Sequence, residues 1–125
     1  MKEMREGRKT RYTRMVLQDS LIELMKQKPI SKITIKEICE TADINRTTFY
    51  AHFADQYDLL RSIEDQTLSY AKGRLESLLE KDKNGAKIII ESIFEYFIEN
   101  RDHIQVLMSE QGDIDFQKKL IHLIY

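Results

Sequence analysis

The sequence holds one cysteine, one proline, four glycines and no tryptophan in 125 residues, and each scarcity closes off a class of protein. Cys39 has no second cysteine to pair with, which excludes an internal disulfide and any Cys-x-x-Cys site and leaves the role of a small buried hydrophobe. Pro29 is the sole proline, and β-branched residues never alternate at period two for long, so an all-α chain is expected. No apolar stretch approaches the roughly 18 residues of a membrane span. The densest, Ile88 to Ile98, is broken by Glu91, Ser92 and Glu95. The N-terminus carries charges but no apolar segment of the secretory kind, so a cytoplasmic location is expected. Glycine-rich phosphate loops, His-Glu-x-x-His and nucleophile elbows are also missing. His52, His103 and His122 are scattered, and the spacing of Asp113, Asp115 and His122 matches no ligand pattern and reads as a solvated face. The sequence thus points away from an enzyme and calls for neither metal nor cofactor.

What is present is charge, unevenly placed. The net charge is −1, yet residues 1–54 carry +4 and residues 55–125 carry −5. Lys2, Arg5, Arg8, Lys9, Arg11 and Arg14 face only Glu3 and Glu6. Such a basic arm ahead of the first helix can follow phosphates or enter a minor groove, with Arg8, Lys9 and Arg11 as its candidate contacts; the alternative is a frayed, solvated terminus. The acidic rear half keeps such a protein from coating nucleic acid indiscriminately.

The stretch Thr34 to Phe53, TIKEICETADINRTTFYAHF, carries the strongest pattern. Thr34 and Glu37 form a capping box, so a helix starts there, with Ile35, Ile38 and Cys39 on one apolar face. Thr41 to Ile44 interrupts that face. Asn45 then caps a second helix, Arg46 to His52. Two short helices and a tight turn are the build of a helix-turn-helix, whose second helix presents its N-terminal residues to base edges. Arg46, Thr47, Thr48 and Tyr50 are its exposed set, while Phe49 and Phe53, four apart, face inward. Two capped core helices of no special function would carry the same caps; the basic arm tips the reading towards DNA.

From its N-terminus through Leu60 the chain resembles the DNA-binding domain of the TetR/AcrR family of bacterial transcriptional regulators, on T-I-K-E-I, A-D-I and T-T-F-Y-A-H-F followed by an acidic cap and a leucine-containing helix. Arg46 to Phe53, with Tyr57, is most similar to the subgroup common in Firmicutes. The resemblance implies an all-α homodimer that binds a palindromic operator on double-stranded DNA and releases it when a small-molecule effector enters the C-terminal domain. It places base and phosphate contacts on Thr34, Lys36, Asn45, Arg46, Thr47, Thr48, Tyr50 and His52. Asp43 departs from the glycine of many members, but aspartate tolerates a left-handed backbone better than most residues. Cys39 stands where a small alanine is usual.

The remaining elements follow from apolar spacing. A first helix is expected from Thr10 to Gln27, with Leu17, Leu21, Leu24 and Met25 as its buried stripe and Pro29 as its stop. Asp55 and Asp58 cap a fourth helix reaching about Lys83, with Leu60, Ile63, Thr67, Ala71, Leu75 and Leu78 on one face. Lys81 to Gly85 reads as the clearest break. Ala86, Ile89, Ile90, Ile93, Phe94 and Phe97 form the next apolar face, followed by a helix from Arg101 to Met108 and another from Asp113 onward.

Two domains are therefore expected: residues 1–54, a three-helix DNA-binding head, and residues 55–125, a helical effector and dimerisation domain entered by a long linking helix. Tyr70, Phe94, Tyr96, Phe97, Met108 and Phe116 are candidates for an effector pocket, with plain core packing as the alternative. The segment through Tyr125 is still apolar and helical where the sequence stops. A truncated rear domain is expected on that ground, the other reading being dimerisation through Ile114, Leu120, Ile121 and Ile124. A repressor released by its effector leads. A DNA-tethered activator or adaptor, whose acidic rear half recruits a protein partner, is the alternative.

Overall fold

The computed structural model describes residues 7–80 and 83–124. Lys2, Glu3, Arg5 and Glu6 of the basic arm, Lys81 and Asp82 of the break, and Tyr125 lie outside the described residues. So do the side chains of Leu78, Ala86 and Ile124. Among the described residues there are seven α-helices and no strand: α1 (Arg8–Met25), α2 (Ile35–Ala42), α3 (Arg46–His52), α4 (Gln56–Glu80), α5 (Lys83–Glu99), α6 (Arg101–Leu107) and α7 (Ile114–Ile124), with a 3-10 turn at Ile30–Lys32. No helix among them is long and apolar enough to cross a membrane. The fold is all-α, with a helix-turn-helix near the N-terminus.

Helix α1 starts earlier than the apolar stripe suggests, because Gly7 stands as its N-cap and accepts from Arg11 N–H at 3.0 Å. Arg8 and Lys9 are therefore helical residues together with Arg11 and Arg14, a correction to the expected helix start at Thr10, which left Arg8 and Lys9 in an arm ahead of the helix. The helix ends at Met25, where Lys26, Gln27 and Lys28 turn their N–H groups back onto Ile22, Glu23 and Leu24. Pro29 then closes off any continuation.

Two compact units result, one through Arg61 and one from Ser62. In the first, α1 packs on α2 and α2 on α3. Leu17, Leu21 and Met25 are fully buried, joined by Ile22, Ile33, Ile38, Phe49, Phe53, Leu59 and Leu60. Leu24, assigned to the same stripe, is only half-buried. Leu59 and Leu60 explain why this unit extends past residue 54: the first turn of α4 completes its core. That turn is capped by Asp55, whose Oδ1 accepts from Asp58 N–H at 2.8 Å, while Asp58 accepts from Ala54 N–H at 2.9 Å.

The second unit buries Ile63, Thr67, Ile89, Val106, Leu107 and Phe116. Glycine costs a helix least near its ends, and the supposed break at Asn84-Gly85 is in fact the first turn of α5. The apolar arc of that helix is only partly covered. Ile89 is buried and Ile93 half-buried, whereas Ile90, Phe94, Phe97 and Ile98 stand exposed along one side. Between α6 and α7 the chain turns tightly: Ser109 Oγ donates to Val106 O at 2.6 Å, and Gln117 Nε2 donates to Leu107 O and Ser109 O, both at 2.9 Å. These bonds satisfy carbonyls that the end of α6 leaves open. Asp113, one of the acidic residues near His122, accepts from Asp115 N–H at 3.0 Å and so caps α7.

Candidate nucleic-acid interface

Helix α2 is started by a reciprocal cap. Thr34 Oγ1 accepts from Glu37 N–H at 3.1 Å, and Glu37 Oε1 accepts from Thr34 N–H at 3.0 Å. The other carboxylate oxygen of Glu37 accepts from Lys28 Nζ, tying the end of α1 to the start of α2. The Lys28 ammonium, and after it the Thr34 N–H, hold the Glu37 carboxyl below its ordinary range. A further bond fixes the approach to this helix: Gln56 Nε2 donates to Ile33 O at 2.8 Å. Neither Lys28 nor Gln56 is visible as a site residue in the sequence, because each acts over a tertiary contact.

The turn depends on one backbone conformation. Asp43 closes α2 at φ 57° and ψ 47°, the left-handed region, and is the one residue other than glycine with positive φ among those described. Ile44 N–H then bonds Cys39 O at 3.0 Å, which ends α2 by a left-handed cap. Asn45 follows in extended backbone, its Oδ1 accepting from Thr48 N–H at 2.8 Å. Both helices thus begin at side-chain caps and meet through a turn that the cap residues dictate.

Helix α3 is anchored from beneath. Phe49 is fully buried, its ring edge-on to Tyr50 at 5.6 Å and tilted against Phe53 at 6.0 Å. Burying such a ring is worth about 2–3 kcal/mol, enough to hold a seven-residue helix that would not persist alone. Its outer side carries Arg46, Thr47 and Tyr50, all exposed. Thr48, expected among them, is half-buried, and its backbone N–H donates to the Asn45 cap. His52 is half-buried, with its ring 6.2 Å from that of Phe53.

Lys36, Asn45 and Arg46 are brought together around one open groove of about 590 Å³, whose wall also includes Cys39 and Ile44. Glu40 and Asp43 line it as well. Neither carboxylate was expected at the site: Glu40 sits in the last turn of α2 and Asp43 at its C-cap. Burial pushes the Cys39 thiol up, while Arg46 acts weakly the other way, so Cys39 packs as a neutral small residue. Thr34, Arg8, Lys9 and Arg11 are not among the residues lining the groove. Arg8, Lys9 and Arg11 are exposed at the start of α1, and the Thr34 hydroxyl is engaged in its cap.

The second unit holds a partly open cavity of about 330 Å³. Helix α4 supplies Thr67, Tyr70, Ala71 and Leu75; α5 supplies Ile93, Tyr96 and Phe97; Met108 follows α6; and α7 supplies Leu120, Ile121 and Leu123. Tyr70, Tyr96, Phe97 and Met108 therefore share a cavity. Phe94 and Phe116 do not, a correction with two opposite causes: Phe94 is 65% exposed on the outer side of α5, whereas Phe116 is sealed in the core at 3%. Periodicity places a residue on a helix face but does not say what lies opposite.

Comparison with known proteins gives two findings. The family model described as "Bacterial regulatory proteins, tetR family" matches residues 19–63, the span from within α1 to the first turns of α4. An uncharacterised HTH-type transcriptional regulator of Bacillus subtilis (strain 168), YxbF, is 25% identical over 97 residues, covering 74% of this chain and 26% of that protein. The chain thus spans about a quarter of the length of the curated relative it matches.

Proposed function

From the match of residues 19–63 to the family model of tetR-type bacterial regulatory proteins, we propose that the protein is a sequence-specific DNA-binding transcriptional regulator, a repressor that leaves its operator when a small molecule occupies the rear cavity. The observation that carries the reading is the outer side of α3. Arg46, Thr47 and Tyr50 project from a helix whose opposite side is locked by Phe49, which is the rigidity that base readout requires. Arg46 and the Thr47 hydroxyl read base edges or phosphates, and the Thr47 methyl meets a thymine methyl. Lys36, Asn45, Thr48 and His52 contact the backbone around them, Thr34 serves by capping α2, and Arg8, Lys9 and Arg11 add phosphate contacts from α1.

A seven-residue recognition helix covers only a few base pairs, so a useful site needs two heads about 34–36 Å apart on a palindrome. The working form is therefore a homodimer on double-stranded DNA. The test is selection of bound duplexes from a random pool, followed by titration of the selected site against salt. A palindromic consensus, with affinity falling about 10³-fold or more between 50 and 200 mM salt, is expected when several cations per head displace counterions. A flat salt response would count decisively against DNA as the partner.

A further inference from the structure

Resting on the reading that the rear unit receives an effector, we infer that its ligand is an uncharged, planar aromatic molecule of about two fused rings. Charge is excluded by the lining, which contains no Lys, Arg, Asp, Glu or His. Its polar side-chain groups are the Thr67 hydroxyl and those of Tyr70 and Tyr96, and the Thr67 proton is already donated to Ile63 O at 3.0 Å. An ion seated there loses its water and finds no counter-charge among the lining residues, a cost of several kcal/mol. Size follows from volume: a dry cavity of about 150 Å³ admits benzene, so the present 330 Å³ suits a body about twice as large.

Shape is set by the aromatic wall. The rings of Tyr70 and Tyr96 stack with centroids 3.9 Å apart and planes within 11°, while the Arg74 guanidinium lies 4.9 Å from the Tyr70 centroid. Two groups thus lean on Tyr70, and the Phe97 ring stands edge-on to Tyr96 at 6.4 Å, so a ligand in the cavity meets a continuous aromatic wall of Tyr70, Tyr96 and Phe97. A flat ring that extends this column gains offset stacking in addition to apolar burial; a flexible alkyl chain of the same volume gains burial alone and loses rotational freedom.

The experiment is equilibrium binding to the 125-residue chain by calorimetry, with near-ultraviolet circular dichroism as a second readout. Tyrosines dominate that signal because the chain has no tryptophan. Three probes of similar bulk are compared at neutral pH: β-naphthol, β-naphthoate and decanol. The expected order is β-naphthol at a single site, about tenfold or more above β-naphthoate and about three- to tenfold above decanol, with a changed tyrosine signal. Tyr96→Leu should erase the preference for naphthol over decanol while keeping decanol binding, and Tyr96→Phe should retain the preference. Absence of naphthol binding, naphthoate binding as tightly as naphthol, decanol matching naphthol, or an unchanged preference in Tyr96→Leu would each overturn the inference. If Tyr96→Leu does not fold, the order of the three probes on the wild-type chain still decides. Operator release is scored separately: naphthol that binds without weakening DNA affinity leaves the ligand class standing and sinks the effector role, whereas release by charged ligands alone preserves that role and sinks the class.

Discussion

Glu37 serves two partners with one carboxylate, the Thr34 N–H and the Lys28 ammonium, and its charge is what makes both contacts strong. Its carboxyl is held below the ordinary value of 4.5, so it binds its proton more weakly in the folded state than in the unfolded one. The stabilisation is fully present above the unfolded value and is lost as pH falls through the lower folded value. The denaturation midpoint of the wild type should therefore drop on acidification below pH 4.5 more steeply than that of Glu37→Gln, measured in parallel urea titrations. Parallel curves for the two proteins would show that the carboxylate contributes nothing in that window. Asp43 gives a second residue-scale test. A β-branched side chain fits the left-handed region poorly, so Asp43→Val should cost about 1–2 kcal/mol in urea unfolding, and Asp43→Gly should be neutral or stabilising. Destabilisation by glycine would mean that the aspartate side chain, rather than the turn geometry, is what matters.

At the scale of elements, α3 and the α6–α7 turn illustrate two ways in which a short segment is held. Helix α3 has a cap at one end and a buried ring beneath, and its outer residues are free to vary without unfolding it. Thr47→Ala and Tyr50→Ala should therefore leave thermal stability nearly unchanged while costing about 1–3 kcal/mol on the selected operator, whereas Lys36→Ala should weaken operator and random duplex alike. Fluorescence anisotropy on both duplexes separates these outcomes, and equal losses on both for all three variants would remove base readout from α3. The α6–α7 turn is held by steric fit. A Cβ on Gly112 would come within 2.1 Å of Leu107 O and 3.1 Å of Gln117 Nε2, so the turn must shift or the Gln117 bonds must break. Gly112→Ala should lower stability by about 1–3 kcal/mol; a calorimetric melting temperature equal to that of the wild type would show that the turn yields freely.

For the molecule as a whole, the decisive quantity is the number of chains on one operator. Under the proposed reading one α3 specifies too few base pairs for a useful binding site, and duplex geometry calls for a second copy about one helical turn away. Sedimentation with a selected palindrome should give two chains per duplex and a marked loss of affinity on the isolated half-site. Saturation by a single chain with equal affinity for both would sink the proposed homodimer. The two units also divide the labour by charge, since the half with the helix-turn-helix is net positive and the rear half net negative. That division favours binding by the head alone and limits contact between DNA and the rest of the chain.

Local chemistry was readable from the sequence, and tertiary chemistry was not. The Thr34 and Glu37 capping box, the Asn45 cap of α3 and the inward Phe49 and Phe53 all follow from contacts within about one helical turn, where spacing determines geometry, whereas the left-handed turn at Asp43 was implied by the family resemblance. The all-α class followed for the same reason. The start of α1 was misplaced because Gly7 caps through its backbone alone, without the side-chain signal that marks a helix start. The helical first turn of α5 was hidden because Asn-Gly is both a turn pair and a tolerable helix N-terminus. What only the folded chain decided is which helix faces find partners. Ile89 and Phe94 belong to the same apolar arc of α5, yet one is buried and the other exposed; Phe116 and Leu120 lie on one side of α7, yet one fills the core and the other borders a cavity. Likewise, Gln56 and Lys28 brace the helix-turn-helix from 23 and 9 residues away in sequence. Periodicity determines the direction in which a side chain leaves its own helix, but burial depends on what the rest of the chain sets opposite it.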